Sequence, residues 1–192
     1  MENLDSHVQE NWKLQRGVCK SLLGYAILDL VQHASALVFG TWNPRPLKAG
    51  HIKKLQKSFE KEGLERYSEK SVIPIVLKKD FVDLSSLTHD LSDTKKIPPF
   101  KYSTEAGASP TSIKCAGGRH RFEALQCYIA DVHKLYKAVE GKRETIGMVA
   151  DDALSSEDIQ YYNHDSVGEL QQLGGILKSN GQWLVAVYDE SK

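Results

Sequence analysis

The residues best suited to chemistry stand together in Cys115-Ala116-Gly117-Gly118-Arg119-His120-Arg121. An apolar run from Thr111 to Ala116 leads into the two glycines. A helix with one apolar face follows from about Arg119 to Arg143, because Phe122, Leu125, Ile129, Val132, Tyr136 and Val139 recur every three or four residues. Paired glycines let a backbone turn tightly and approach a ligand closely. The helix start offers unpaired N–H groups and the positive end of its dipole. Arg119, His120 and Arg121 add cationic donors at that end, where they disfavour the helix on its own. An anion offsets them, and phosphate has the right charge and acceptor geometry. A solvated turn before an amphipathic helix fits the same five residues, so the rest of the chain must decide.

Phosphoryl transfer needs a positioned base, an oriented nucleophile and usually a metal ion. The candidate catalytic groups are His120, Arg121, Glu60 and Glu123, with Glu62 beside Glu60. Glu123 also fits a dipole-satisfying place at a helix start. No carboxylate pair has diagnostic spacing, so the metal ligands stay unknown. His89-Asp90 and Asn163-His164-Asp165 hold adjacent side chains that point apart, and neither makes a two-ligand site. There is no Walker A loop, GxSxG or HExxH motif. The three cysteines include no CxxC pair, which favours a reducing compartment and disfavours structural zinc. Cys19 and Cys127 read as small buried hydrophobes. Trp12, Trp42 and Trp183 are too scattered for a base-stacking platform. Lys plus Arg and Asp plus Glu each number 25, so the formal net charge is zero. That excludes a histone-like coat for polyanions, although Lys53, Lys54 and Lys57 could form a local stripe.

The elements that must position these residues follow from periodicity. Trp12 to Ala36 reads as a wide-striped helix, with Leu14, Val18, Leu22, Ala26, Leu30 and Ala34 four apart. Asp29, Gln32 and His33 interrupt its apolar part, so it is not a membrane span. The acidic, polar opening MENLDSHVQ lacks secretory character, and the expected location is intracellular, cytoplasmic or nuclear. Trp42-Asn43-Pro44-Arg45-Pro46 must be extended. A second helix spans about Ala49 to Glu62, buried through Ile52, Leu55 and Phe59 and stopped by Gly63. Val72 to Leu77 is a strand, in which Pro74 predicts an edge or a bulge. Asp83 to Pro110 reads as a long polar loop. Beyond Arg143, Thr145–Val149 and Trp183–Tyr188 are the strand candidates, and the second is favoured. Ser155 reads as an N-cap, and Glu169–Ser179 as a helix.

The order NPRP, IKKLQKSFEKEGL, IPIVL and GGRHRFEAL resembles the ParB/sulfiredoxin superfamily. Its members place an Asn-Pro or Pro-Arg element before an LxxLxxSIxxxG helix, then a Pro-Ile strand, then a Gly-x-Arg-Arg or Gly-Gly-Cys-His-Arg helix start. Leu55, Ser58, Phe59, Gly63, Pro74 and Ile75 fall in that order here. The resemblance covers roughly residues 42–125. It implies an α+β fold, a small mixed sheet with packed helices. Residues 1–41 would be an N-terminal helical extension. Residues 42–192 would be the domain itself, with a loop insertion at 83–110 and a helical insertion at 144–182.

The resemblance also implies a nucleotide site. His120 and Arg121 would hold phosphate oxygens, with Gly117, Gly118 and Arg119 supplying further donors. Arg45 matches the arginine of the extended element. His51, Lys54 and Ser58 share the face of the preceding helix that lines the nucleotide in sulfiredoxin-like members. Arg119 stands where sulfiredoxin has its cysteine, and Cys115 lies four residues too early, which sets the reductase aside. The expectation is therefore a nucleoside triphosphatase or DNA nuclease using ATP or CTP with Mg2+. The alternatives are a non-catalytic nucleotide- or DNA-binding module that homodimerises, and a small-molecule kinase. No membrane partner is expected.

Overall fold

Strand alternation governs the segment that follows residue 20. A computed structural model describes residues 20–40, 46–104, 111–179 and 181–191. In it Leu22–Asp29 is a β-strand, β1, with Ala26 and Leu28 buried and the residues between them half-exposed. The helix expected over Trp12 to Ala36 is therefore corrected over its second part; residues 1–19 lie outside the described residues. The reason is arithmetic. A spacing of four is about one helical turn, but it is also two strand repeats. Leu22, Ala26 and Leu30 satisfy both; Tyr25 and Ile27 tip the balance toward a strand, and Gly24 weakens a helix.

The chain divides into two compact units. The first comprises Met1–Leu47, Glu65–Arg119 and Gln182–Lys192, and the second Lys48–Leu64 and His120–Gly181. The first unit is built on a five-stranded mixed sheet. Its other strands are β2 (Leu37–Phe39), β3 (Ile73–Leu77), β4 (Ile113–Cys115) and β5 (Gln182–Asp189), in the order β1-β5-β3-β4-β2. β1 runs antiparallel to β5, β5 parallel to β3, β3 antiparallel to β4, and β4 parallel to β2. In β5 every residue from Trp183 to Val187 is buried, as an unbroken apolar run covered on both faces requires. The Trp183 indole N–H donates to the Ser71 carbonyl at 2.7 Å, so its polar edge is satisfied.

Pro74 sits in the central strand, which corrects the expected edge position. Its carbonyl accepts the Ala116 N–H at 2.9 Å, and ladder pairing with β4 begins only at Ile75. The missing donor of Pro74 therefore falls just beyond the ladder and leaves no carbonyl of β4 unserved. The polar segment after residue 82 is irregular, as expected, yet anchored. Tyr25 and Thr88 exchange backbone hydrogen bonds at 2.7 and 2.9 Å. Ile27 donates to Pro98 at 2.9 Å and accepts from Phe100 at 2.8 Å. The segment thus covers the outer edge of β1, with Val82, Ser86 and Ile97 buried beneath it.

The second unit is helical. It contains α1 (Ala49–Glu62) and all but the first residue of α2 (Arg119–Gly147). It also holds α3 (Ser156–Gln160), a π-helical turn (Tyr161–Asp165) and α4 (Ser166–Ser179). α1 has the expected bounds, and Gly63 closes it with φ 78°. The strand alternative over Thr145–Val149 is overturned, because α2 runs through Gly147. The Ser155 hydroxyl accepts the Asp158 N–H at 3.1 Å, as its N-cap role requires. Val132, Val139 and Leu173 form the core between α2 and α4, with Tyr128, Tyr136 and Tyr161 packed around it. Cys127 is exposed, against expectation, since it faces away from that core.

Candidate anion-binding site

Two features define the approach to α2. β4 ends at Cys115, and the chain turns through Gly117 and Gly118 in the first unit. Only Gly118 needs to be glycine. Its φ is 83°, and an added Cβ would lie 2.7 Å from Cγ1 of the fully buried Ile73. A Cβ on Gly117 would meet only Pro74, at an ordinary 3.5 Å. The glycine signal thus has a packing cause independent of any ligand. Cys115 has no nucleophilic role, because burial pushes its thiol up to about 12.

The second unit brings His51 and His120 together from distant parts of the chain. Their rings meet edge to face with centroids 5.1 Å apart. The backbone N–H of Lys48 points at Nε2 of His120 at 3.2 Å. Lys48 is the N-cap residue of α1, and its side chain does not cap the helix. The N–H groups of Ala49 and Gly50 find no protein acceptor among the described residues. Neither α1 nor α2 has an acidic residue in its first turn. The imidazole at the start of α2 therefore sits on the positive end of α1. Because Nε2 accepts this hydrogen bond, Nδ1 is the ring nitrogen left to donate.

The remaining candidates divide clearly. His120 and Arg121 are half-buried, and as consecutive helical residues they leave the axis about 100° apart. Lys54 is exposed, one turn along α1 from His51. The Ser58 hydroxyl donates to Glu62 at 2.9 Å, which turns it toward the C-terminal end of α1. Glu60 is not brought to His120, since nine residues from His51 place it on the opposite side of α1. Glu123 is half-buried in the first part of α2. Arg45 lies outside the described residues, as does all of Trp42-Asn43-Pro44. Among the described residues no three His, Cys, Asp or Glu side chains gather as a metal centre. Lys48, whose backbone reaches His120, escaped sequence reading because main-chain donors leave no residue-type signature.

Further cavities open elsewhere among the described residues. One of about 410 Å³ in the second unit is lined by Ile146, Gly147, Val149, Leu154, Ile159, Tyr162 and Asn163. Another, of about 450 Å³, opens in the first unit beside Asp83 and Tyr102. No helix among the described residues is long and apolar enough to cross a membrane.

A family model described as the N-terminal domain of a protein of unknown function, DUF3723, matches residues 24–138. That span is more than half of the chain, so the chain belongs to this family. The match takes in β1 through most of α2, and thus both His51 and the Gly117–Arg121 stretch. No curated protein and no solved structure matches.

Proposed function

We propose that this chain grips phosphate at the start of α2, as a nucleotide-binding domain of ParB/sulfiredoxin type. His120 donates through Nδ1–H, Arg121 supplies charge, and the Ala49 and Gly50 N–H groups and His51 complete the donor set. The single observation that carries the reading is His120 seated against the N-terminus of α1. Two helix N-termini meet at one imidazole with no acidic side chain in either first turn. Such a concentration of donors favours an anion. The ligand is a nucleoside triphosphate, ATP or CTP, with Mg2+ carried on its phosphates rather than by a protein metal centre.

Hydrolysis is the reaction class that fits, as a nucleoside triphosphatase or a DNA nuclease. In this arrangement His120 acts as a donor to phosphate and not as a base, because its Nε2 lone pair is committed to Lys48. The test is phosphate release from ATP and CTP and nicking of supercoiled plasmid, each with magnesium. The reading expects turnover that falls at least 100-fold in His120→Ala/Arg121→Ala, the loss typical of a transition-state donor. Stabilisation by nucleotide without turnover would move the chain to the binding-module reading. Phosphate appearing on an added alcohol would make it a kinase.

A further inference from the structure

We propose that the outer face of α1 is a second, separate surface that tracks a nucleic-acid backbone. Lys53, Lys57 and Lys61 repeat at a spacing of four, and Lys54 stands beside them; all four are exposed. At about 100° per residue the four lysines fill a sector roughly 100° wide, directly opposite Ile52, Leu55 and Phe59. Among the described residues none of them is paired with a carboxylate. Like charges four apart disfavour a helix. Exposed Glu60 stands beside this face, three residues from Lys57, yet among the described residues it forms no ion pair with it, whereas α2 pairs Lys134 with Asp131 and Lys137 with Glu140. The local charge is also one-sided. Lys48–Leu64 carries five lysines and two glutamates, whereas His120–Gly181 carries six Lys and Arg against ten Asp and Glu.

Spacing points to the partner. From Lys53 to Lys61 four charges span about 12 Å of helix axis, about one per 4 Å, close to the ~3.4 Å of helix axis per phosphate along one DNA strand. Long lysine stems absorb the difference as point charges without base readout. The surface therefore fits phosphate backbone of any sequence. It does not depend on the α2 reading, since Lys53, Lys57 and Lys61 have no part in that site.

The test is fluorescence anisotropy of a 24-base-pair DNA duplex with the full chain, from 25 to 200 mM KCl. Three neutralised phosphates predict a log–log salt slope of about −2.7 from these lysines alone, a loss of roughly 40-fold between 50 and 200 mM salt. Lys53→Gln/Lys57→Gln/Lys61→Gln should remove that part of the slope while leaving the circular dichroism spectrum and any nucleotide-induced stabilisation unchanged. His120→Ala/Arg121→Ala should keep it. An unaltered slope in the triple variant, or no duplex binding at 25 mM salt, would overturn the proposal. Polyglutamate held as tightly as the duplex would do so too, and would give the face to an acidic protein.

Discussion

Gly118 and Cys115 show how two residues that look chemical in the sequence act structurally. Gly118 has a left-handed φ and lies against Ile73, so a methyl group there is strained twice over. Gly118→Ala should lose about 2–3 kcal/mol in urea denaturation, from αL strain plus overpacking. Gly117→Ala should stay within about 0.5 kcal/mol, as an unstrained site does. Equal effects would contradict the turn geometry. Cys115 is raised by burial from its ordinary 9.0 to about 12. Below pH 9 the thiol is protonated in both states and contributes no pH dependence. Between about 9 and 12 the unfolded chain loses this proton first, so stability falls by up to ~1.4 kcal/mol per pH unit. Cys115→Ala should flatten that alkaline decline. At pH 8 an alkylating reagent should modify exposed Cys127 and spare Cys115 until the chain unfolds, as peptide mapping would report.

Elements were legible where one period fits and illegible where two do. α1 and α2 carry apolar spacings that no strand reproduces, and both start where the residues indicate. β1 carries a spacing of four that strand and helix share, and the strand wins because β5 supplies a partner along its whole length. Pro74 misled for a related reason. Its missing donor argues against a ladder hydrogen bond, and where the ladder begins is a property of β4, not of the proline. The polar stretch after Val82 was legible as irregular, but not as the cover of β1, because its anchoring bonds are main-chain. That role is testable. Replacing Thr88–Phe100 with a short Gly-Ser linker bares the β1 edge, and sedimentation should show self-association. A variant that stays monomeric at the same concentration would remove the edge-covering role.

At the scale of the whole molecule, zero net charge conceals a cationic helix face and an acidic remainder in the same helical unit. Membership of the DUF3723 N-terminal family brings no activity with it, so function rests on the site alone. The donor cluster at the start of α2 was legible in part. Gly-Gly-Arg-His-Arg marked the place, and His51 was named as its neighbour. The meeting of Lys48 with His120 across the chain was not, since it depends on where α1 begins in space. The central claim is that these donors hold phosphate. It is tested most directly by thermal melting of the full chain with millimolar ATP, CTP, GTP or ADP and magnesium, beside His120→Ala/Arg121→Ala. A ligand at about 100 times its Kd should raise the wild-type Tm by roughly 5–10 °C, and the double variant should lose that rise. An equal rise in the double variant, or none with any nucleotide in the wild type, would contradict it.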